Sequence, residues 1–525
     1  MSQNKRTWRE LSPWRVSVAL ICLAATLAGC TFAVQNMLRP LPAAPRPAWF
    51  APYVDVTLTP RYPFEDPASN PAKQVVLAFV VADKTRPCEP SWGGYYGLDE
   101  AGTAVDLDRR IARYRSRGGQ VVVSFGGAVN DELAVVCDDV VRLTRAYQSV
   151  VDRYQIEAID LDIEGTALTN SVANERRAKA VSLVQAKQKE RKKRLDVWLT
   201  LPASSSGLTT PGVAVVDTVV SVGLDFAGVN AMTMDFGEAP KGTKANMAAL
   251  TLSSIAGLAR QLRSSYQRVG LPLDARGAWR KIGVTPMIGQ NDIAGEVFSL
   301  DDAKTLMGVV GDRGLARVSM WSLNRDIACG RNLDTLRAWN TCSGADQTEL
   351  AFSWLFGSLQ GRPERVPTTT VPKFVSTERG APLSAVTVID DPAGSPYPIW
   401  NADRLYRKDG KVVWRREVYL AKWWNVGQAP DAPIVHEWDS PWRLLGPVLP
   451  GERPVPTTTL PPKTYGAWSS DMPYEKHDRV QIGGVGFEAK WWTRGDRPGV
   501  DVPNAWNSPW SPITELDEQN AVLRR

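Results

Sequence analysis

The stretch EAIDLDIEGTA, residues 157 to 167, sets Asp160, Asp162 and Glu164 at every second position, with Ile159, Leu161 and Ile163 between them. On an extended strand alternate side chains share a face, spaced ~6.5–7 Å apart along it. One face of this strand is therefore aliphatic and the other acidic. Carboxylates are too costly to bury as packing, yet the aliphatic face demands burial on the opposite side. The pattern predicts a strand in the middle of a parallel sheet, with its acids pointing into a shared interior and the last of them at the open carboxyl end.

The flanking sequence supports that placement. Apolar, β-rich runs recur at 74–83 (QVVLAFVVAD), 120–127 (QVVVSFGG), 156–165, 195–202 (LDVWLTLP), 226–237 (FAGVNAMTMDFG), 281–289 (KIGVTPMIG) and 316–324 (ARVSMWSLN). Amphipathic stretches such as DLDRRIARYRSRG and DDVVRLTRAYQSVVDRYQ lie between them, several ending at a glycine stop. Repeated strand–helix units over this length predict a (β/α)8 barrel in 71–358, a doubly wound open sheet being the alternative. Seven strands are legible, and the second of the eight is expected near residues 92–98.

Crowded carboxylates in one pocket cannot all ionise, so the outermost, Glu164, is expected to stay protonated near neutral pH and to act as a proton donor. Asp162, just below, can share its proton. The rival is an all-oxygen magnesium or calcium site. The chain has two histidines, His436 and His477, so residues 1–360 can hold neither a histidine-dependent nucleophile nor a histidine zinc site. A net charge of +6 over 525 residues, without a basic nucleic-acid motif, is too dilute to predict a nucleic-acid partner.

The N-terminus carries Lys5, Arg6, Arg9 and Arg15 before the apolar run VSVALICLAATLAGCTFAV, residues 16–34. Residues 1–35 read as an export signal or membrane anchor. LAGC, residues 27–30, resembles a bacterial lipobox, which makes Cys30 a lipidation candidate. Either reading places the remainder outside the cytoplasmic membrane, extracellular or tethered to the cell surface, with no other membrane contact. Export permits disulfides, and Cys88–Cys137 with Cys329–Cys342 is the local choice among three connectivities. Residues 36–70, rich in proline, read as a stiff spacer.

At the acidic strand the chain resembles glycoside hydrolase family 18, the chitinases and their relatives. The family pattern DxxDxDxE reads here E-A-I-D-L-D-I-E, with Glu157 at the first position. SFGG (124–127), MTMDFG (232–237), VTPMIGQND (284–292) and MWSLNRD (320–326) resemble further family motifs in the same order. The resemblance implies a retaining mechanism in which the substrate's own 2-acetamido carbonyl is the nucleophile. Glu164 would protonate the glycosidic oxygen, Asp162 would orient the acetamido group and Asp160 would tune Asp162 from beneath. Asp235 would contact the sugar and Trp321 would floor the pocket, with Met234, Phe236 and Gln290 lining it. Many relatives carry a tyrosine beside the sixth-strand aspartate, where this chain has Met234 and Phe236. No metal or organic cofactor is implied.

Two Pro/Thr linkers, 359–395 and 447–463, each precede a tryptophan-rich unit, 396–446 and 464–515. Trp400 and Trp468, Tyr406 and Tyr474, AKWW at 421–424 and 489–492, and W-x-S-P-W at 438–442 and 506–510 repeat at one fixed offset. Units this small cannot bury every ring. They resemble the all-β chitin-binding modules of carbohydrate-binding families 5 and 12, whose motif reads AKWWNVGQAP and AKWWTRGDRP. Trp400, Tyr406, Trp423, Trp424, Trp468, Tyr474, Trp491 and Trp492 are the candidate sugar-contacting rings, one tryptophan of each WW pair being assigned to the core. The expectation is a monomeric, exported, endo-type chitinase acting on chitin and chitooligosaccharides, its modules on flexible linkers. The alternatives are a weakly active chitin-binding protein and a hydrolase of another N-acetylhexosamine polymer such as peptidoglycan.

Overall fold

A computed structural model describes residues 48–238, 243–330, 333–334, 336–359, 390–391, 395–432, 439–452, 464–482, 485–498 and 508–513. The export signal, Cys30 and most of both Pro/Thr linkers lie outside the described residues. Among the described residues no helix is long and apolar enough to cross a membrane.

The described residues begin with strand structure. β1 (Trp49–Phe50) and β2 (Tyr53–Asp55) are two pieces of one extended stretch broken at Ala51 and Pro52. They are followed by β3 (Gln74–Ala82), β4 (Gln120–Gly126), β5 (Ala158–Asp162), β6 (Asp196–Ser204), β7 (Gly228–Thr233), β8 (Ile282–Pro286) and β9 (Arg317–Val318). Parallel pairings run in chain order from β2 through β3 to β9. β9 then pairs in parallel with β1, which returns the order to its starting segment. Between the strands run α1 (Leu107–Ser116), α2 (Val140–Tyr154), α3 (Ser171–Glu190), α4 (Thr210–Val222), α5 (Met247–Arg268) and α6 (Leu300–Arg313).

This corrects the identity of the strand that the sequence reading left unnamed. The strand missing from the sequence reading is the first, not the second, and it lies inside the presumed spacer 36–70. Pro52 interrupts the stretch where its absent N–H costs no ladder bond, and its carbonyl accepts from the Val76 N–H at 2.9 Å. Residues near 92–98 instead form a short antiparallel hairpin, Pro90–Trp92 with Tyr96–Gly97, on the end of β3.

The aliphatic face of β5 behaves as its alternation demands. Ile159, Leu161 and Ile163 are at most 1% exposed and belong to the large apolar layer between sheet and helices. Each such side chain contributes roughly 1.5–3 kcal/mol by burial. A second, smaller cluster gathers Trp49, Tyr53, Val76, Val122, Ala158 and Trp198, with Phe79 and Trp321 packed against it. The acids of β5 open onto this second side.

Each tryptophan-rich unit folds as its own small sheet. The first has β10 (Lys411–Trp414), β11 (Glu417–Ala421) and β12 (Trp442–Pro447) in antiparallel order. The second has β13 (Arg479–Ile482), β14 (Val485–Ala489) and β15 (Trp510–Pro512). The boundary predicted at 446 cuts β12, and Val448 still packs with the first unit.

Candidate active site

Asp160, Ser124 and Thr200 sit on neighbouring strands, with Ser124 in register with Asp160 on β4 and β5, and Thr200 in register with Asp162 on β5 and β6. Asp160 is fully buried and takes four donors. Its Oδ2 accepts from the Tyr53 hydroxyl and the Ser124 hydroxyl, each at 2.8 Å. Its Oδ1 accepts from Thr200 Oγ1 at 2.8 Å and from Arg317 Nη1 at 2.6 Å. The Arg317 guanidinium lies 5.3 Å from the Trp49 ring, 5.3 Å from Trp198 and 5.6 Å from Tyr53, an aromatic enclosure that favours a cation. Asp160 thus has its charge balanced within the protein, and both its oxygens are committed.

One step towards the carboxyl end, Asp162 is 4% exposed and has no cation of its own. Burial, then Glu164, then Asp160 push its carboxyl well above the usual range. It shares a hydrogen bond with Glu164, while its Oδ1 is buried without a hydrogen-bond partner. Glu164 is pushed up to about 7, chiefly by burial and further by the negative charge of Asp235. The two carboxyls therefore hold a proton between them near neutrality.

Gly126 and Gly127 let β4 approach this pair. A Cβ on Gly126, at φ +104°, would stand 2.0 Å from the Asp162 carbonyl oxygen, and one on Gly127 would meet the Phe79 ring at 2.9 Å. The Gly127 N–H donates to the Asp162 carbonyl at 3.0 Å. Ser124, in the SFGG motif, is a hydrogen-bond donor to Asp160.

Asp235 follows β7 in the left-handed region, φ 50°. Its Oδ1 accepts from the Asp292 N–H at 2.8 Å and the Ile293 N–H at 3.2 Å. The next two backbone amides, Phe236 and Gly237, donate to the carboxylate of Glu296 at 2.8 and 2.6 Å. Glu296 is fully buried and holds the turn carrying Asp235. Burial, and then Asp292, raise the Asp235 carboxyl above its ordinary value against the lowering effect of its two backbone donors. Trp321 stacks on Phe79 at 5.6 Å and 21° between planes, and lies 6.1 Å from Tyr53. Met234 and Phe236 are half-buried beside Asp235, Phe236 packing against the large apolar layer.

Some sequence assignments shift. Gln290 is 2% exposed and its amide donates to the carbonyls of Asn291 and Ile293, so it ties its own loop and is not a pocket-lining contact. Glu157, at the first position of the family pattern, is exposed at the foot of β5. Tyr53, Thr200, Arg317 and Glu296 were not singled out from sequence. Of these, Arg317 left a trace, a lone cation in the apolar run ARVSM. Cys88 pairs with Cys137, and Cys329 with Cys342. Among the described residues no group of three or more His, Cys, Asp or Glu is placed to hold a metal ion.

In the small sheets, Tyr406 and Trp442 are core residues of the first, Tyr474 and Trp510 of the second. The hydroxyls of Tyr406 and Tyr474 accept from the backbone N–H of Asn401 and Ser469, each at 2.7 Å, so both tyrosines are structural and not sugar-contacting. Trp400 and Trp468 are half-buried against those cores. Neither tryptophan of a WW pair enters the core: Trp423 and Trp424 are 41% and 65% exposed, Trp491 and Trp492 41% and 56%.

No family model matches the chain. It is 37% identical over 301 residues to the probable bifunctional chitinase/lysozyme of Escherichia coli K12, covering 55% of this chain and 32% of that one. It is 36% identical over 305 residues to endochitinase 11 of Metarhizium anisopliae, covering 55% of this chain and 56% of that one. The chain therefore spans about a third and just over half of these two relatives. The catalytic domain of a hyperthermophilic chitinase from Pyrococcus furiosus superposes with a TM-score of 0.51 at 27% identity, over 61% of this chain and 96% of that domain.

Proposed function

We propose that this chain is a chitinase: a (β/α)8 glycoside hydrolase of family 18 type that cleaves β-1,4 links between N-acetylglucosamine units, with two chitin-binding modules after the barrel. The observation that carries the reading is the pair Asp162–Glu164, two carboxyls sharing a proton at the carboxyl end of β5 above a neutralised Asp160. The chitinase relatives and the Pyrococcus domain support the same reading.

Glu164, protonated below about pH 7, gives its proton to the glycosidic oxygen as the bond to the anomeric carbon breaks. The substrate's acetamido carbonyl oxygen closes on that carbon to form an oxazolinium ion. Asp162 Oδ1, buried without a partner, accepts the acetamido N–H and stabilises the positive charge of the ring. Water then attacks the anomeric carbon, ionised Glu164 takes its proton, and the configuration is retained. Asp235 contacts the sugar, and Trp321 beside Phe79 offers an apolar floor. With Met234 and Phe236 where relatives place a tyrosine, the acetamido carbonyl lacks that hydroxyl donor, a difference on the order of 10²-fold in rate.

Trp423–Trp424 and Trp491–Trp492 are the stacking platforms for polymer, and two platforms on one chain give avidity. The N-terminal signal sends the protein out of the cytoplasm. Soluble products released from chitin by the full chain, and abolished by Glu164→Gln, test the reading. Release from peptidoglycan but not chitin would replace the substrate and keep the chemistry, whereas chitin binding with release from neither would overturn it.

A further inference from the structure

The two tryptophan-rich units share a core, but the apolar second face of the first is largely polar in the second. The residues of the first core, Val412, Tyr419, Ala421 and Trp442, have Val480, Phe487, Ala489 and Trp510 as their counterparts in the repeat. On the other side of the same strands, the first unit carries a second apolar cluster of Val413, Val418 and Leu445, with Tyr397 and Leu420 packed on it. The repeat places Gln481, Gly486 and Glu488 opposite Val413, Val418 and Leu420, and keeps an apolar residue only at Ile513, opposite Leu445. An extra apolar face on one of two copies requires something that covers it.

Helix α1 of the barrel covers it. Arg109, on α1, is 3% exposed; its Nη1 donates to the Pro447 carbonyl at 2.7 Å and to Glu452 Oε2 at 3.1 Å. Arg113 donates to the Leu444 carbonyl. Lys411 Nζ bonds Asp106 Oδ1 at 2.7 Å, just before α1 begins. The Tyr397 ring has Arg109 at 5.6 Å and Lys411 at 5.2 Å. Gly446, at φ +142°, makes the close approach: a Cβ there would meet the Arg109 carbonyl at 2.8 Å and Arg113 Cβ at 3.0 Å. In the second unit Arg479 replaces Lys411 and pairs inside its own module with Glu488 at 2.9 Å.

We propose that the face Val413–Val418–Leu420–Leu445 is a dedicated docking surface for helix α1, so that barrel and first module act as one rigid body, and that the second module cannot take its place. The sequence reading of a module swinging on a flexible linker then applies to the second copy alone. The proposal is independent of what the barrel hydrolyses.

Hydroxyl-radical footprinting of the full chain tests it, comparing wild type, Arg109→Glu and the charge-swapped pair Arg109→Glu/Glu452→Arg. Tyr397 and Leu445 should be protected in wild type, modified severalfold faster in Arg109→Glu, and protected again in the swapped pair. Tyr147, buried in the barrel, should stay unmodified throughout, which separates undocking from unfolding. Should Arg109→Glu unfold the barrel, Lys411→Glu reads the same surface from the module side. Equal modification of Tyr397 and Leu445 in wild type and single variants, or failure of the swapped pair to restore protection, overturns the proposal.

Discussion

Arg317 and Asp160 form an ion pair at 2.6 Å in which neither side chain is exposed to solvent. Removing one partner of such a pair leaves a buried charge uncompensated. Arg317→Met should destabilise the protein by about 3–5 kcal/mol, measured by urea unfolding at neutral pH. Because Arg317 also lowers the Asp162 carboxyl, any surviving activity should hold to a higher pH than in wild type. Stability unchanged within error would show that the pair is not formed.

The Glu164 carboxyl sets the alkaline side of the pH profile. Its folded value, about 7, lies above the ordinary glutamate range, so the donor form is lost as pH rises through 7 and turnover of a soluble oligosaccharide should fall tenfold per unit beyond it. The same shift means that the folded state binds this proton more tightly than the unfolded state does. Its contribution to stability is therefore present at low pH and lost between the unfolded value and about 7. Glu164→Gln should lower kcat by about 10²–10⁴-fold while being at least as stable as wild type at pH 8. A less stable variant at that pH would contradict the shift.

Glu296 is a positioning residue. Glu296→Gln keeps the shape but weakens two charge-assisted bonds to Phe236 and Gly237. Loss of the turn that presents Asp235 should cost about 10–10² in kcat/KM, with the pH at which activity falls shifted together with the Asp235 environment. An unchanged pH profile with a simple loss of stability would reduce Glu296 to a structural role.

Gly126→Ala asks whether β4 must approach β5 so closely. With the added Cβ 2.0 Å from the Asp162 carbonyl, the strand has to move, at a cost of about 1–3 kcal/mol. Displacement of Asp162 should lower activity more than stability. Gly314→Ala, whose Cβ meets nothing within 4 Å despite a positive φ, is the control that isolates backbone strain from the clash.

The exposed tryptophans separate binding from chemistry. Trp423→Ala/Trp424→Ala and Trp491→Ala/Trp492→Ala should each weaken adsorption to solid chitin by about 1 kcal/mol or more, leaving hydrolysis of short soluble oligosaccharides unchanged. Tyr406→Ala should instead unfold the first small sheet, since its ring packs on Trp442 at 5.0 Å.

The acid row was legible because alternation is a local pattern: three carboxylates against three aliphatics leave little choice of face. The groups that neutralise and tune it were less so. Asp160 depends on Tyr53, 107 residues away, and on Arg317, 157 residues away, and nothing local marks them as partners. Tyr53 was further hidden by the prolines around it, which imitate a spacer although Pro52 merely breaks a strand in two. In the WW pairs, composition suggested one ring in and one ring out. The cores are filled instead by Tyr406 with Trp442 and Tyr474 with Trp510, which leaves both members of each pair outside.

The ring of strands begins and ends on the segment that carries Tyr53. Its hydroxyl meets Arg317 across 264 residues of sequence, so the segment of β1 and β2 waits for β9 before the parallel sheet is complete. Until β9 arrives, Asp160 faces an interior without its cation. Partly assembled chains that bury the acid row are thereby penalised, and the event that completes the architecture is also the one that neutralises its centre. Synthesis order and electrostatics together favour a parallel sheet that assembles late and as a whole.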